Sequence, residues 1–512
     1  MFARKIKNRS GSTSVQVIRK VQKRYCVVRT VGTSADPDEI ARLWQQALRI
    51  ARNDNPDQGK LFTVQTSADQ AVQSAMESLA NRNIRIIGPE LIFGTLFDRM
   101  GFNQIPDEMF RHLVVARLAY PTSKLKTVDY LYRYKGISIS VSSVYSFLDR
   151  LHRNYKQRVE KIVYEHTKKR LGIITVVFYD MTTLYFEAED EDDLRKIGFS
   201  KDGKFQHPQI MLGLLVGEGG LPIGYDIFEG NTFEGHTLLP TLQKIQEKYG
   251  FKQPIVVADA AMLSKENITK LESARYPRHA VIGARIKNES EQVKQTILKK
   301  SVGLKDQDHF VLKREDGARL VVTYSDKRAH KDAQNREKGL MRLKKRVKTG
   351  RLTKENMNDR GYNKFLTIEG EMTVRIDERK VAEDKRWDGL KGYLTNTQLA
   401  AEKVIENYSH LWQIEKAFRI SKTDLRIRPI YHYRRRRIES HLCIAFVAYA
   451  IFKELELLLK KHGVEMSARR AGDLTQNMYE LHYSLPDSND LKHLTLNMDE
   501  EQQMLYRCIH GK

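Results

Sequence analysis

Three carboxylates in this chain stand where their surroundings could put them to chemical use. In GIITVVFYDMTTLYFE, Gly172 to Glu187, a run of β-branched and apolar residues leads into Asp180. The run predicts a strand that is apolar on both faces. An ionised aspartate inside it must be paired, hydrogen-bonded or metal-bound. Taken alone, Asp180 is either a structural aspartate satisfied by nearby amides and hydroxyls or a ligand. In PIVVADAAMLS, Asp259 closes a second short apolar strand just before a helix. The two aspartates are expected at one sheet edge, where α/β proteins place their chemistry. Brought together they repel unless a proton or a divalent cation bridges them. The third carboxylate comes from helical spacing. Over Ala400 to Lys422, the positions Val404, Tyr408, Leu411, Glu415, Phe418 and Lys422 form one stripe, which places Glu415 on a buried face. There it meets either a salt bridge to Lys422 or Arg419 or a metal. Two strand aspartates and one helix glutamate suit two-metal phosphoryl chemistry.

The charge balance points to a partner for such a site. Lys and Arg number 88 against 64 Asp and Glu in 512 residues, a formal net charge of +24, which favours a polyanion: DNA, RNA or an anionic membrane. A local excess between Lys327 and Lys354, with Lys344, Lys345, Arg346 and Lys348 close together, is either a solvated helix face or a phosphate-neutralising one. Arg434 and Arg435 open a further basic helix start and are DNA-contact candidates. No apolar run approaches the roughly 18 residues a membrane span needs; Cys443 to Phe452 is too short. The basic N-terminus lacks a secretory apolar region, so a cytoplasmic, nucleoid-associated protein is expected. Cys26, Cys443 and Cys508 lack zinc-ligand spacing and read as free thiols. His207, His236 and His410 show no paired spacing and read as polar loop or surface residues. Neither dinucleotide nor P-loop glycine fingerprints occur, so no nucleotide cofactor is expected.

The elements that must position these residues follow from periodicity. Residues 1–60 predict a small antiparallel β unit, turning at Ser10 to Ser12, and a helix from Asp38 to Arg52. Residues 61–170 predict a mostly helical region, in which Val141 to Leu151 is either part of a helix-turn-helix reader or of an ordinary bundle. From 171 to 290 strand-like and helix-like segments alternate, with a hairpin turning at Gly217, Gly219 and Gly220 that argues against an all-parallel sheet. A helix is expected over Ser264 to Ser273. Residues 291–398 predict short strands around the basic helical piece, 399–460 the helix with Glu415 and its successor, and 461–512 a tail of loop and short helix.

In this order the stretches FYDMTTLYFE, GFSKDGKFQHPQIMLGLLVGEGG, GYDIFEGNTFEGHTLLPTL, IVVADAAMLSKENI, VIGARIK, WDGLKGYLTNT and YSHLWQIEKAFRISKTDLRIRPIYHYRRRRIESHL resemble the DDE transposases of bacterial insertion sequences. The likeness is to the group with a β-rich insertion between the second Asp and the Glu (insertion-sequence family four type), and it covers most of the chain. It implies an α/β fold, a ribonuclease-H-like catalytic core interrupted by a β-rich insertion domain. It also implies the triad Asp180, Asp259 and Glu415, two Mg²⁺ ions with Mn²⁺ as a substitute, and cut-and-paste or related strand transfer. The group's pattern around the glutamate is met by Tyr408, Glu415 and Lys422, but its arginine position holds Leu411. Arg419 or Arg426 could take over the missing phosphate contact. Tyr408 has core packing as its alternative role, and Lys422 is a DNA-contact candidate. Trp387, the one Trp of the insertion, is either a platform for a flipped base, as in some relatives, or a small-core anchor.

The function expected is that of an enzyme acting on double-stranded DNA. It binds terminal inverted repeats, cleaves the ends and joins the 3′-hydroxyl to target DNA, as a homodimer holding two ends. The alternatives are a nuclease or resolvase of the same core without strand transfer, and a catalytically inactive DNA-binding repressor. Membrane-surface binding has no basic amphipathic anchor to support it.

Overall fold

The computed structural model describes residues 1–21, 24–53, 76, 79–80, 83–250, 254–260, 262, 279–315, 317–349, 361–369, 373–484 and 490–511. The helix expected over Ser264 to Ser273, the basic stretch beyond residue 349 and the start of the expected helical region lie outside the described residues. The chain divides into two units, Met1–Asn83 with His482–His493, and Ile84–Leu481 with Leu494–Lys512.

The smaller unit follows from its alternating sequence. Strands β1 (Phe2–Lys7), β2 (Thr13–Val21) and β3 (Arg24–Ser34) form an antiparallel sheet. The β1–β2 turn closes where Asn8 N–H donates to the Ser12 carbonyl at 2.8 Å. Val15 and Val17 of β2 meet Ala47 and Ala51 of the Pro37–Asn53 helix in a small core.

The larger unit is built on an eight-stranded mixed sheet. Its strands are β5 (Val176–Tyr185), β6 (Gln209–Val216), β7 (Pro222–Glu229), β8 (Ile255–Ala258), β9 (Ala280–Ala284), β10 (His309–Lys313), β11 (Arg319–Tyr324) and β14 (Leu390–Thr395), in the order β10-β11-β14-β9-β8-β5-β6-β7. β5, β6 and β7 form an antiparallel meander, while β8 and β9 run parallel to β5. The meander turns at the expected glycines, with Gly219 and Gly220 at φ +72° and +75°. Strands this apolar need cover on both faces, and every residue of β6 is buried. On one face Val177, Tyr179 and Met181 pack with Leu238, Leu242 and Ile245 of the Leu238–Tyr249 helix. On the other, Val176 and Phe178 join the main core with Ile414 and Phe418 and with the Arg435–Lys461 helix.

The Arg435–Lys461 helix explains the apolar run at Cys443 to Phe452: it is buried continuously from Ser440 to Leu455, as a helix hydrophobic on all sides must be. Among the described residues, no helix is long and apolar enough to cross a membrane. The Glu108–Ala119, Val141–Arg150 and Lys156–Leu171 helices pack around it, Val144, Phe147 and Leu148 facing inward. Cys443 and Cys508 are buried free thiols and Cys26 is an exposed one.

Three features differ from the sequence expectation. The stretch Ala400 to Lys422 is not one helix but two, Ala401–Ser409 and Trp412–Arg419, ending in a wider turn at Ile420–Asp424. The strands between the second aspartate and the glutamate are not all set apart. β10, β11 and β14 continue the main sheet, and among the described residues only β12 (Leu366–Glu369) and β13 (Thr373–Ile376) form a separate hairpin. That hairpin shares a small core with Leu343 of the Asp326–Lys348 helix. The tail is also more ordered than a loop: β15 (Tyr479–Ser484) pairs with β4 (Ile84–Ile86), and Leu474, Leu505 and Ile509 enter the main core.

Candidate active site

Strand register brings the first two carboxylates together. β5 and β8 pair in parallel from Val176↔Ile255 to Tyr179↔Ala258, and Asp180 and Asp259 each follow that last pair by one residue, near enough for the charge of Asp259 to act on Asp180. The alternation that sends Val177 and Tyr179 to one face sends Phe178 and Asp180 to the other, beneath the Trp412–Arg419 helix. That helix carries Glu415.

Asp180 is the half-buried residue in an otherwise buried stretch of β5. Its Oδ1 accepts from Met181 N–H at 2.7 Å. Lys201 Nζ lies 3.7 Å from Asp180 Oδ1 and 3.0 Å from Glu234 Oε1, and donates to the Met181 carbonyl at 2.8 Å. Burial pushes the Asp180 carboxyl up to about 6, helped by the negative charges of Glu234 and Asp259 and opposed by Lys201 and the Met181 amide. Asp259 is exposed, and its Oδ1 accepts from Ala260 N–H at 2.7 Å and from the Tyr408 hydroxyl at 3.4 Å.

Tyr408 is buried against Tyr393, ring centroids 4.9 Å apart. Burial and then the charge of Asp259 hold its hydroxyl strongly protonated. A Cβ at Gly283 of β9 would collide with that hydroxyl, so a glycine is needed where the ring approaches the strand. Lys391 of β14 places its ammonium 4.5 Å from the Tyr408 ring centroid. Burial lowers the Lys391 pKa, as does Arg328, while Asp259 and Glu415 oppose the shift. Lys391 and Tyr408 thus feel both Asp259 and Glu415, and Asp180 feels Asp259.

Glu415 is exposed, not buried as the single-helix stripe predicts. The break at Ser409–Leu411 is where the stripe is lost, since it interrupts the helical phase between Tyr408 and Glu415. Among the described residues, Glu415 has no ion-pair partner within 4.0 Å. Lys422 pairs instead with Asp202 at 3.2 Å, a carboxylate shared with Arg428. Arg419 is exposed. Leu411, at the position of the group's arginine, is half-buried against the main core.

By residue type the donor set suits a hard divalent cation, three oxygen-only carboxylates, one exposed on a strand end, one exposed on a helix and one half-buried, but their oxygens do not all gather within 4.8 Å of one another. Lys201 already brings a positive charge to Asp180 and Glu234. The other candidates have these surroundings. Trp387 is 8% exposed, in a small core with Ile286, Ile297, Leu298 and Leu320. Lys344, Lys345 and Arg346 are exposed on the Asp326–Lys348 helix. Arg434 is exposed, and Arg435 pairs with Glu439 at 3.1 Å. His236 is exposed, and His207 and His410 are half-buried.

The Transposase DDE domain family model matches residues 172–451, more than half of the chain. The chain belongs to the transposase DDE domain family. The matched segment of this family contains Asp180, Asp259, Lys391, Tyr408, Glu415 and Lys422. The chain is similar to the transposase for insertion sequence element IS231C of Bacillus thuringiensis subsp. berliner, 30% identical over 156 residues, 29% of this chain and 32% of that one. It is also similar to the transposase for insertion sequence element IS231E of Bacillus thuringiensis subsp. finitimus, 28% identical over 174 residues, 32% of this chain and 34% of that one. The alignments span about a third of these relatives' length. Among solved structures it is similar to piggyBac transposase in a synaptic complex with hairpin DNA, with 10% identity, 76% coverage of each chain and a TM-score of 0.39.

Lys391, Lys201 and Glu234 are parts of this site that sequence reasoning did not single out. Each lies in a stretch that carries the family likeness, WDGLKGY, GFSKDGKF and GNTFEGH, yet a polar residue in a strand or loop leaves no periodic signal.

Proposed function

We propose that the protein is a DDE transposase that binds the terminal inverted repeats of an insertion sequence, cleaves the ends and joins the freed 3′-hydroxyl to target DNA. The observation that supports the reading is the β5–β8 register, whose last pair Tyr179↔Ala258 immediately precedes Asp180 and Asp259, on a strand β5 packed against the helix of Glu415. An antiparallel meander flanked by two parallel strands is the arrangement of a ribonuclease-H-like core, and it supports the same reading. Two divalent ions, Mg²⁺ or Mn²⁺, held by Asp180, Asp259 and Glu415 would activate a water or 3′-hydroxyl for attack and offset charge on the leaving oxygen.

The protein's own groups do the rest. The Tyr408 hydroxyl donates to Asp259 and orients it. Lys391 supplies fixed positive charge next to Asp259 and Glu415, where negative charge grows on the phosphoryl oxygens. Lys201 holds Asp180 and Glu234 against their mutual repulsion. The helical region before the core, the exposed basic face of the Asp326–Lys348 helix and Arg434 take the DNA backbone, with two copies of the chain holding two ends.

The test uses DNA carrying the inverted repeats that flank the gene. With Mg²⁺, wild-type protein yields cleaved and joined products, and Glu415→Gln loses at least about 10³-fold in cleavage with DNA binding unchanged. Full activity of Glu415→Gln would remove the triad assignment. Cleavage without joining under every divalent ion would favour the nuclease reading.

A further inference from the structure

A cavity of about 510 Å³ opens between residues 117–126 and residues 426–441 of the larger unit. Among the described residues its lining includes Arg117, Lys124, Arg426, Arg428, His432 and His441, and no Asp or Glu. Lys124 is 8% exposed, and among the described residues its ammonium has no hydrogen-bond or ion-pair partner. A buried lysine in that state is rare. The charged neighbours that act on it, on His432 and on His441 are cationic: Arg117, Lys124 and Arg437. His441 donates through Nε2 to the Ile427 carbonyl at 3.0 Å, while its Nδ1 is buried without a partner.

The backbone beside the cavity is held in an unusual form. Arg117, 6% exposed, donates to the carbonyls of Leu425 and Arg426, each at 3.3 Å. Arg426 takes φ +45°, a left-handed conformation that non-glycine residues rarely adopt and that gathers at ligand sites. The carboxylate that reaches the lining is Asp202, on Arg428. Asp202 also pairs with Lys422 and follows Lys201, so the cavity adjoins the Asp180 site through this segment.

We propose that this cavity binds a phosphate group of a DNA strand, with Lys124 and Arg426 as its charge partners and Arg117 as the residue that positions Arg426. A phosphate supplies the negative charge that the buried ammonium lacks. The volume lies within the roughly 300–1,000 Å³ of pockets that hold whole small ligands, so the attached nucleotide fits against the rings of Tyr145 and Tyr431. The anion chemistry stands alone; DNA as its source rests on the transposase reading.

The test compares full-length wild type, Lys124→Met and the exposed-site variant Arg426→Ala. Thermal unfolding is followed with inorganic phosphate against chloride at matched ionic strength, and binding by anisotropy of a fluorescein-labelled single strand. Phosphate should raise the wild-type Tm. Lys124→Met should lose the phosphate-dependent rise. Both variants should bind the strand about tenfold more weakly, with a salt slope smaller by about one. Wild-type strand affinity and slope in both variants would overturn the proposal. So would loss of the phosphate response with strand affinity intact, which would leave a free-phosphate site. Weakened strand binding by both variants, in a protein whose wild type never cuts transposon ends, would uphold the cavity and remove the transposase reading alone.

Discussion

Lys391 draws together residues that the chain supplies from three places. Its ammonium stands over Tyr408 and within the fields of Asp259 and Glu415. A cation fixed there competes with any other cation the carboxylates attract. Replacing it with methionine should therefore lower the Mn²⁺ concentration for half-maximal thermal stabilisation by roughly 3- to 10-fold, about 1 kcal/mol of relieved repulsion. Strand cleavage should slow in the same variant. A midpoint that stays put or rises would detach Lys391 from the site. At this scale the sequence singles out carboxylates and is nearly silent about the groups the fold places around them. Asp180 interrupts an apolar strand and Asp259 ends one, anomalies visible in one dimension. Lys391, Lys201 and Glu234 sit among other polar residues, and only the folded backbone brings them near.

Among the elements, the Arg435–Lys461 helix is the post on which the helical region hangs, and one carboxylate fastens it. Asp149, at the end of the Val141–Arg150 helix, accepts from Arg437 at 3.0 Å and from Arg436 at 2.8 Å. Arg437 first and then Arg436 hold its carboxyl down to about 2, against the effect of burial. A folded pKa below the unfolded one contributes stability that is present above about pH 4 and lost as pH falls toward 2. Asp149→Asn should thus unfold about 1–2 kcal/mol more easily than wild type at pH 7, allowing for partly exposed arginines. The gap should close between pH 4 and pH 2 in urea titrations. An undiminished gap at pH 2 would mean that packing, not charge, sets the difference. Strands were more legible than helix phase. β5 to β11 were readable from β-branched runs bounded by glycine and charge. The break after Ser409 was not, because Ser409, His410 and Leu411 contain neither glycine nor proline. β4 and β15 were hidden for another reason: they lie hundreds of residues apart, and neither looks like a strand without its partner.

For the whole molecule, the net charge of +24 is a statement about salt. Binding to duplex ends should weaken steeply and linearly on a log–log plot as salt rises, each neutralised phosphate adding about 0.9 to the slope. Replacing Lys344, Lys345 and Arg346 together by alanine should flatten that slope by roughly two to three. Because all three side chains are exposed, the Tm should hardly move. An unchanged slope would make that helix face merely solvated. Composition favours a polyanionic partner at once, since charge sums need no fold. Where the charge is spent was beyond it: the basic cavity around Lys124 gathers residues from two distant stretches, each ordinary in itself.

The continuation of the main sheet through β14 bears on how the chain is made. During synthesis β5 to β9 emerge first, so Asp180 and Asp259 can take adjacent places early, while the outer edge of β9 waits for a strand translated after the whole insertion. An open edge of that kind invites pairing with another chain. Glu415 is translated later still. A nascent or prematurely ended polypeptide therefore carries two of the three carboxylates and a sticky edge, and the third arrives only once the segment around Glu415 is made.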